Sequence, residues 1–214
     1  MWTEEELTAE TEWSRTFSKR DGSGMYYHSK FIDGEASITL SELAKRWPAW
    51  TEIERHDFCS AFSCGEWPES AEIFRFLASD QSEIIRSTIA LGLSMSLDAD
   101  EAYPILSAWA SDVKIGSRGN YIQAIAVTEH PKALEALWSE FDELCAHPSV
   151  MDDSDWYNEI ATELVWCIQS LVELGVSTGE LRATVSKLES HPSQGIRRQV
   201  HRWLGESFGN SDSD

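Results

Sequence analysis

An acidic segment with two aromatic residues stands out among the residues that could do chemistry. It reads Asp152-Asp-Ser-Asp-Trp-Tyr157 and is followed by two glutamates on the same predicted helix. Carboxylates beside an exposed Trp-Tyr pair can hold an arginine or a lysine, because ion pairing and cation–π contact act on the same group. The residues that we expect to bind a partner are Asp152, Asp153, Asp155, Trp156, Tyr157, Glu159 and Glu163.

The same acidic segment is also compatible with a purely structural role. Acidic residues near a helix start are stabilised by the helix dipole, so the three aspartates could simply serve the helix that follows. A calcium site of the EF-hand kind would need spaced oxygen ligands, a central glycine and a terminal glutamate, and the segment lacks that pattern. We therefore expect neither a metal ion nor a cofactor.

Motifs for catalysis are weak throughout the sequence. There is no Gly-x-Ser-x-Gly and no phosphate-binding loop with its lysine, and the carboxylates are too numerous for their spacing to single out an acid and a base. Three His-Pro pairs begin at His130, His147 and His191, where a role in turns is favoured over acid–base chemistry. The sequence favours a protein without catalytic activity, although it does not decide the question.

The charge of the chain is strongly negative and unevenly distributed. Its 37 Asp and Glu residues against 17 Lys and Arg give a formal charge of −20, and no basic residue occurs between Lys132 and Arg182. Such a chain repels nucleic acid and anionic membranes and attracts basic proteins. Excess acid can also serve solubility alone. The concentration of acid on about two helical hairpins favours an electronegative surface patch.

The cysteines and the first residues of the chain predict a cytoplasmic protein. Cys59, Cys145 and Cys167 stand in helical, largely apolar surroundings without metal-type spacing, so we interpret them as reduced and buried. The first residues are acidic where a secretion signal is basic, and no apolar run is long enough for a membrane span.

Apolar residues are spaced as in amphipathic helices along most of the chain. Ile84, Ile85, Ile89 and Leu93 form one stripe, and the apolar residues of 160–174 suffice for burial on two sides. The predicted helices are 3–17, 40–47, 51–63, 68–78, 82–96, 99–110, 118–128, 132–146, 154–174, 178–189 and 194–206. Residues 18–37 contain turn signals and a short extended segment.

Helix-start signals support this assignment. Five segments resemble capping boxes, in which a Ser, Thr or Asp oxygen accepts a backbone N–H and a later Glu reaches back. They begin at Thr39, Thr51, Asp80, Asp98 and Ser177. None of the six prolines interrupts a clearly periodic apolar segment. Short connections between such helices imply antiparallel neighbours, so the sequence predicts an all-α fold.

Two segments share a longer pattern. The segment His191-Pro-Ser-Gln-Gly-Ile196-Arg197-Arg-Gln-Val200-His-Arg-Trp-Leu204-Gly205 resembles the second helix of a HEAT-like repeat of the short bacterial type. Residues 80–94 follow the same template, with Ser94 in the place of the terminal glycine. The resemblance implies an α-solenoid of stacked antiparallel helical hairpins, and a globular multi-helix bundle is the alternative. We expect a helical and loop segment over 1–50, the repeat domain over 51–206 and a disordered tail over 207–214.

The leading hypothesis is a non-catalytic interaction module that binds a basic protein. One version is an inhibitor or immunity protein whose carboxylates take the place of nucleic-acid phosphates on a nucleic-acid-binding toxin. The module itself binds neither nucleic acid nor a membrane. The alternative follows from the resemblance, since some HEAT-like repeat proteins are similar to DNA glycosylases. In that case the contacts to nucleic acid would be Arg197, Arg198 and Arg202. A third hypothesis is self-assembly of the basic N-terminal segment against the acidic hairpins.

Overall fold

Helices make up the part of the chain that can be described. The computed structural model describes residues 39–63, 70–152 and 158–205, except for the side chains of Ala61 and Trp203. Within these ranges there is no β-strand, which confirms the all-α class there. The predicted helix 3–17, the extended segment within 18–37 and the tail 207–214 lie outside the described residues.

Ten α-helices are present in the described ranges, and their bounds agree with the predicted ones to within a few residues. They are α1 Leu40–Arg46, α2 Glu52–Phe62, α3 Ser70–Leu77, α4 Glu83–Ser96, α5 Ala99–Asp112, α6 Gly119–Val127, α7 Ala133–Ala146, α8 Glu159–Glu173, α9 Thr178–Glu189 and α10 Gln194–Trp203. Two 3₁₀ helices, Trp47–Ala49 and Pro148–Met151, follow α1 and α7.

The helix starts follow the capping signals in part. Thr39 and Thr51 each form a reciprocal box with the glutamate three residues later, as predicted. The cap of α4 is Ser82 and not Asp80, because the Ser82 hydroxyl accepts the N–H of Ile85 while Asp80 binds the N–H of Ser82. In each case a side-chain oxygen replaces the partner that a first-turn N–H lacks.

One proline lies within a helix. Pro104 stands in the second turn of α5, inside the predicted helix 99–110. It removes the hydrogen bond that the carbonyl of Asp100 would accept. Both residues are exposed, so water can bind this carbonyl, and the helix continues through the proline.

The chain divides into two compact units, Met1–Asp98 and Ala99–Asp214. In the described part of the first unit, α4 packs on α2 and α3, around a core that includes Phe58, Phe62 and Phe74. A buried carboxylate, Asp80, accepts hydrogen bonds from Trp47 Nε1 at 2.9 Å and from Arg55 at 2.5 Å. It thereby joins the 3₁₀ helix and α2 to the start of α4. The predicted division at residues 50 and 206 stays a prediction.

In the second unit, α8 lies at the centre and contacts α6, α7, α9 and α10. Its buried residues surround the helix, which confirms the prediction that this segment is apolar enough for burial on two sides. The core around it draws on every helix from α6 to α10 and on the 3₁₀ helix Pro148–Met151. A helix that is apolar on most of its surface needs neighbours on most of its surface.

The approach of α6 to α8 requires a glycine. Gly119 is the first residue of α6, and a Cβ added there would overlap the six-membered ring of Trp166 on α8. Trp166 therefore lies directly against the backbone of the neighbouring helix, which packs the two helices closely at this point.

We expect G119A to lower the free energy of unfolding by about 1–3 kcal/mol, because the Trp166 ring must move to admit the methyl group. Chemical denaturation followed by circular dichroism measures the change. The matched control is G179A in the first turn of α9, where an added Cβ meets only the Ser177 hydroxyl, at 3.4 Å. The control should change stability by less than about 1 kcal/mol, and equal losses in the two variants would contradict the packing argument.

Candidate functional site

A buried glutamate organises the polar part of the second unit. Glu163 lies on the first turns of α8 and is only 2% exposed. One carboxylate oxygen accepts the N–H of Gly116 at 3.0 Å, and the other accepts the N–H of Arg118 at 2.5 Å. Gly116 has φ of +89°, which turns its N–H toward α8 and favours glycine there. Glu163 thus fixes the loop that leads into α6.

The side chain of Arg118 continues this network to the surface. Its Nε donates to the carbonyl of Val113 at 2.9 Å. One terminal nitrogen lies 3.1 Å from Glu140 Oε2 and 3.0 Å from Glu143 Oε2, both on α7. Arg118 is mostly buried, whereas Glu143 is more than half exposed. The network therefore runs from the centre of the unit to the solvent.

Burial shifts the ionisation of Glu163. Loss of solvent raises the pKa of its carboxyl group from 4.5 to about 7. The backbone N–H groups of Gly116 and Arg118 favour the ionised form and oppose this rise. The nearby Glu140 adds to it, since two neighbouring carboxylates repel each other and a shared proton relieves the repulsion. The carboxyl group of Glu163, with a pKa of about 7, is therefore partly protonated near neutral pH.

A groove of about 370 Å³ lies above this network and is lined by α5, α6 and α7. Ile122, Ile125 and Leu137 contribute apolar side chains to its lining, and Arg118, Glu140 and Glu143 contribute charged groups. At its wall, Tyr103 stacks on His130 with ring centres 4.2 Å apart. Because the carboxylates of the groove already face Arg118, this arrangement suits binding better than proton transfer to a substrate.

The structure divides the predicted partner-binding residues. Asp152 is exposed, and Glu159 is exposed in the first turn of α8, 3.6 Å from Lys114 Nζ. Asp153, Asp155, Trp156 and Tyr157 lie outside the described residues. Glu163 was placed wrongly on the surface, because its carboxylate points inward to the loop before α6. The binding role of the exposed residues stays a prediction.

Sequence reasoning missed Asn158, a buried residue that directly precedes α8. Asn158 is 5% exposed, and its Nδ2 donates to the carbonyls of Ser149 at 2.8 Å and Asp152 at 3.1 Å. Its Oδ1 accepts the N–H of Ala161 at 3.0 Å and caps α8. Asn158 therefore links the 3₁₀ helix Pro148–Met151 and Asp152 to the start of α8. The available signal was an asparagine directly before a periodic apolar run, which is a common helix cap.

Three His-Pro pairs form turns of one kind, as predicted. In each, the histidine Nδ1 accepts the N–H of the residue that follows the proline, at Lys132, Ser149 and Ser193. The distances are 3.1, 3.2 and 3.0 Å. His191 is fully buried, and its Nε2 lies 3.0 Å from the carbonyl of Val150. These contacts give the histidines structural roles.

The arginines of the alternative hypothesis differ in their surroundings. The guanidinium of Arg197 donates to the carbonyl of His191 and, at 2.5 Å, to that of Pro192. Arg197 therefore closes the turn before α10. Arg198 and Arg202 are exposed on α10.

The cysteines agree in part with the prediction. Cys59 and Cys167 are free thiols buried in helices, and burial raises the pKa of each thiol. Cys145 is a free thiol that is only partly buried. In ranges 39–63, 70–152 and 158–205, no three His, Cys, Asp or Glu residues are grouped so that they could hold a metal ion. No described helix combines the length and apolar character needed to cross a membrane.

Comparison with protein-family models, with curated proteins and with solved structures gives no match for this chain. The resemblance to HEAT-like repeats therefore rests on the residues of α4 and α10 quoted above.

We expect E163Q to change how stability depends on pH. The pKa of Glu163 in the fold, about 7, lies above its ordinary value of 4.5, so protonated Glu163 stabilises the fold fully below pH 4.5. This contribution is lost as the pH rises through about 7. The free energy of unfolding of the wild type relative to E163Q should fall by about 1–2 kcal/mol between pH 4.5 and about pH 8.

Urea unfolding at several pH values measures this difference. E159Q is the matched control, because it changes an exposed glutamate of the same helix. A wild-type stability that runs parallel to that of E163Q across the whole pH range would show that Glu163 does not titrate in the fold.

Proposed function

We propose that this protein is a non-catalytic interaction module that binds a basic protein partner through the acidic surface of its second unit. The observation that carries the proposal is the sign of the exposed charge on α7. Its exposed charged residues, Glu135, Asp142 and Glu143, are all carboxylates. Glu135 and Asp142 are seven residues apart, so they lie on the same side of the helix.

Other carboxylates of the second unit are exposed as well. Exposed carboxylates between Lys132 and Arg182 in the described part of the chain are Glu135, Asp142, Glu143, Asp152, Glu159, Glu173 and Glu180. Cations also reach this region: Lys114 lies beside Glu159, Arg118 lies beside Glu143, and Lys187 of α9 acts electrostatically on Cys145 of α7. Most of the exposed negative charge is therefore available to an approaching partner.

The groove beside α7 supports binding more than catalysis. Glu140 and Glu143 form a network with Arg118, and Ile122, Ile125 and Leu137 make part of the lining of the groove apolar. A basic side chain of a partner could enter the mouth of the groove beside the exposed Glu143, while its aliphatic part contacts Ile122 and Ile125. Long-range attraction would bring the partner near, and contacts of this kind would hold it.

The fold that we propose for this module is a HEAT-like α-solenoid. In the second unit α6 contacts α8, and α8 contacts α10, while α5 and α6, α7 and α8, and α9 and α10 pack as neighbours. In a stack of helical hairpins, the second helix of one hairpin packs against the second helix of the next. The contacts of α6 with α8 and of α8 with α10 follow this pattern and support a stack. In the first unit, α2 and α4 are in contact in the same way. The two helices that carry the sequence resemblance, α4 and α10, both belong to such pairs.

The alternative, an enzyme that acts on nucleic acid, has less support. The guanidinium of Arg197 is bonded to two carbonyls at the start of α10, so its main contacts are internal. The remaining exposed arginines of α10 form a small basic area on an acidic chain. Phosphate groups would be repelled from most of the second unit.

A triple variant tests the proposal. We expect E135Q/D142N/E143Q to lose a basic protein that the wild type captures from a host lysate at low salt. The captured protein, identified by mass spectrometry, should be released at high salt, because charges on the surface are screened within about 3 Å at 1 M ionic strength. Its association rate with the wild type should fall at least about tenfold from low to high salt.

The matched control is E173Q/E180Q/E189Q. It also removes three exposed carboxylates, one from the last residue of α8 and two from α9. Equal loss of binding in both variants would mean that net charge alone attracts the partner and that α7 is not the binding surface. An association rate that is insensitive to salt would contradict the proposal.

A further inference from the structure

Helix α4 is apolar on two opposite faces. Ile85, Ile89 and Leu93 are fully buried in the first unit. Ile84 is 52% exposed and Met95 is 71% exposed, so the sequence prediction that Ile84 belongs with the buried stripe is wrong. Its neighbour Ile85 faces the core, and consecutive residues of a helix point about 100° apart. A second apolar face therefore lies on the outside of α4.

The exposed residues follow helical spacing. Ile84, Leu91 and Met95 are separated by seven and then four residues, which places them in one line along the helix. Leu91 is 44% exposed, and Thr88, which completes the line between Ile84 and Leu91, is partly exposed. We call these four residues the outer stripe. It runs almost the whole length of α4, whose 14 residues span about 21 Å.

A neighbouring helix carries another exposed apolar residue. Ile53, near the start of α2, is 61% exposed. The hydroxyl of Ser82, the cap of α4, donates to Glu52 at 2.6 Å, which brings the first turns of α2 and α4 together. Ile53 and Ile84 therefore lie at the same end of the helix pair. Single exposed apolar residues are ordinary, but several large ones aligned along one helix are typical of an interaction surface.

The charges around the outer stripe are mainly acidic. Glu52 and Glu83 are exposed near its first end, and Asp98 is exposed beyond its last end. The single basic residue of α4, Arg86, is partly buried. An apolar line bordered by carboxylates is complementary to an apolar line bordered by lysine or arginine.

We propose that the outer stripe, together with Ile53, is a docking surface for an amphipathic helix of a partner protein that carries basic residues beside its apolar face. Helices dock in this way through apolar residues at intervals of three, four and seven. The length of α4 fits a partner helix of about three to four turns. The inference deepens the proposed function, because it takes the basic character of the partner from it and adds a second surface in the other unit.

A designed peptide can test this surface on the full-length protein. The probe is a 14-residue helix of leucine and lysine, with the leucines on one face, and the control probe has the same composition in scrambled order. We expect L91Q/M95Q to weaken the affinity for the amphipathic peptide at least about tenfold, because two of the four apolar contacts are lost. Isothermal titration calorimetry measures the affinity.

Two controls make the result specific. V127Q/L134Q changes two apolar residues of the second unit that are each 41% exposed, and it should bind the amphipathic peptide like the wild type. The variant E135Q/D142N/E143Q should also keep most of its affinity. The two ideas can therefore fail separately. Unchanged peptide binding in L91Q/M95Q would contradict this inference, whereas unchanged capture of the basic partner by E135Q/D142N/E143Q would contradict the proposed function.

Methionine oxidation tests whether the outer stripe is open in the free protein. Under dilute peroxide Met95 should oxidise faster than the partly buried Met151, and the amphipathic peptide should slow the oxidation of Met95. A Met95 that is already protected in the monomer would show that another part of the chain covers the stripe. A dimer that L91Q/M95Q dissociates, seen by light scattering, would show that a second copy covers it. Either result, or equal affinity for the scrambled peptide, would overturn the inference.

Discussion

The second unit depends on one carboxylate that receives two backbone N–H groups from a distant loop. Because Glu163 holds Gly116 and Arg118 in place, α6 begins at a fixed point against α8. The Arg118 side chain is then positioned to reach α7 and close one end of the groove. Removing the carboxyl group would leave two partly buried N–H groups without this partner, which costs more than the bonds themselves contribute. The binding surface that we propose is therefore built on a buried acidic side chain.

In the first unit, too, a buried carboxylate joins distant segments of the chain. Asp80 receives the indole N–H of Trp47 and the guanidinium of Arg55, and in this way it joins elements that are distant in the sequence. Some of the negative charge of the chain is thus structural and lies inside. The charge that remains outside is what a partner can meet, and α7 carries three exposed carboxylates and no basic residue.

Local signals predicted the helices well, because apolar spacing, the Thr39 and Thr51 caps and the His-Pro turns act within a few residues. Contacts between distant residues were not predictable in this way. Glu163 looks like its exposed acidic neighbours in the sequence, and its partners lie more than forty residues away. On α4, apolar residues on two faces leave the orientation of the helix ambiguous, so Ile84 was assigned to the wrong face. Asn158 was overlooked because a cap next to an acidic run resembles part of that run.

The repeated His-Pro turn bears on the order in which the chain can fold. Each turn is defined by two adjacent residues and by a bond to an N–H two positions away, so it can form before any helix finds its neighbour. The chain reversals before α7, before the 3₁₀ helix Pro148–Met151 and before α10 are therefore encoded locally. Local contacts close short loops and lose little entropy, which speeds the search for the native topology. The buried bonds of Glu163 can then form late, between segments whose ends are already set.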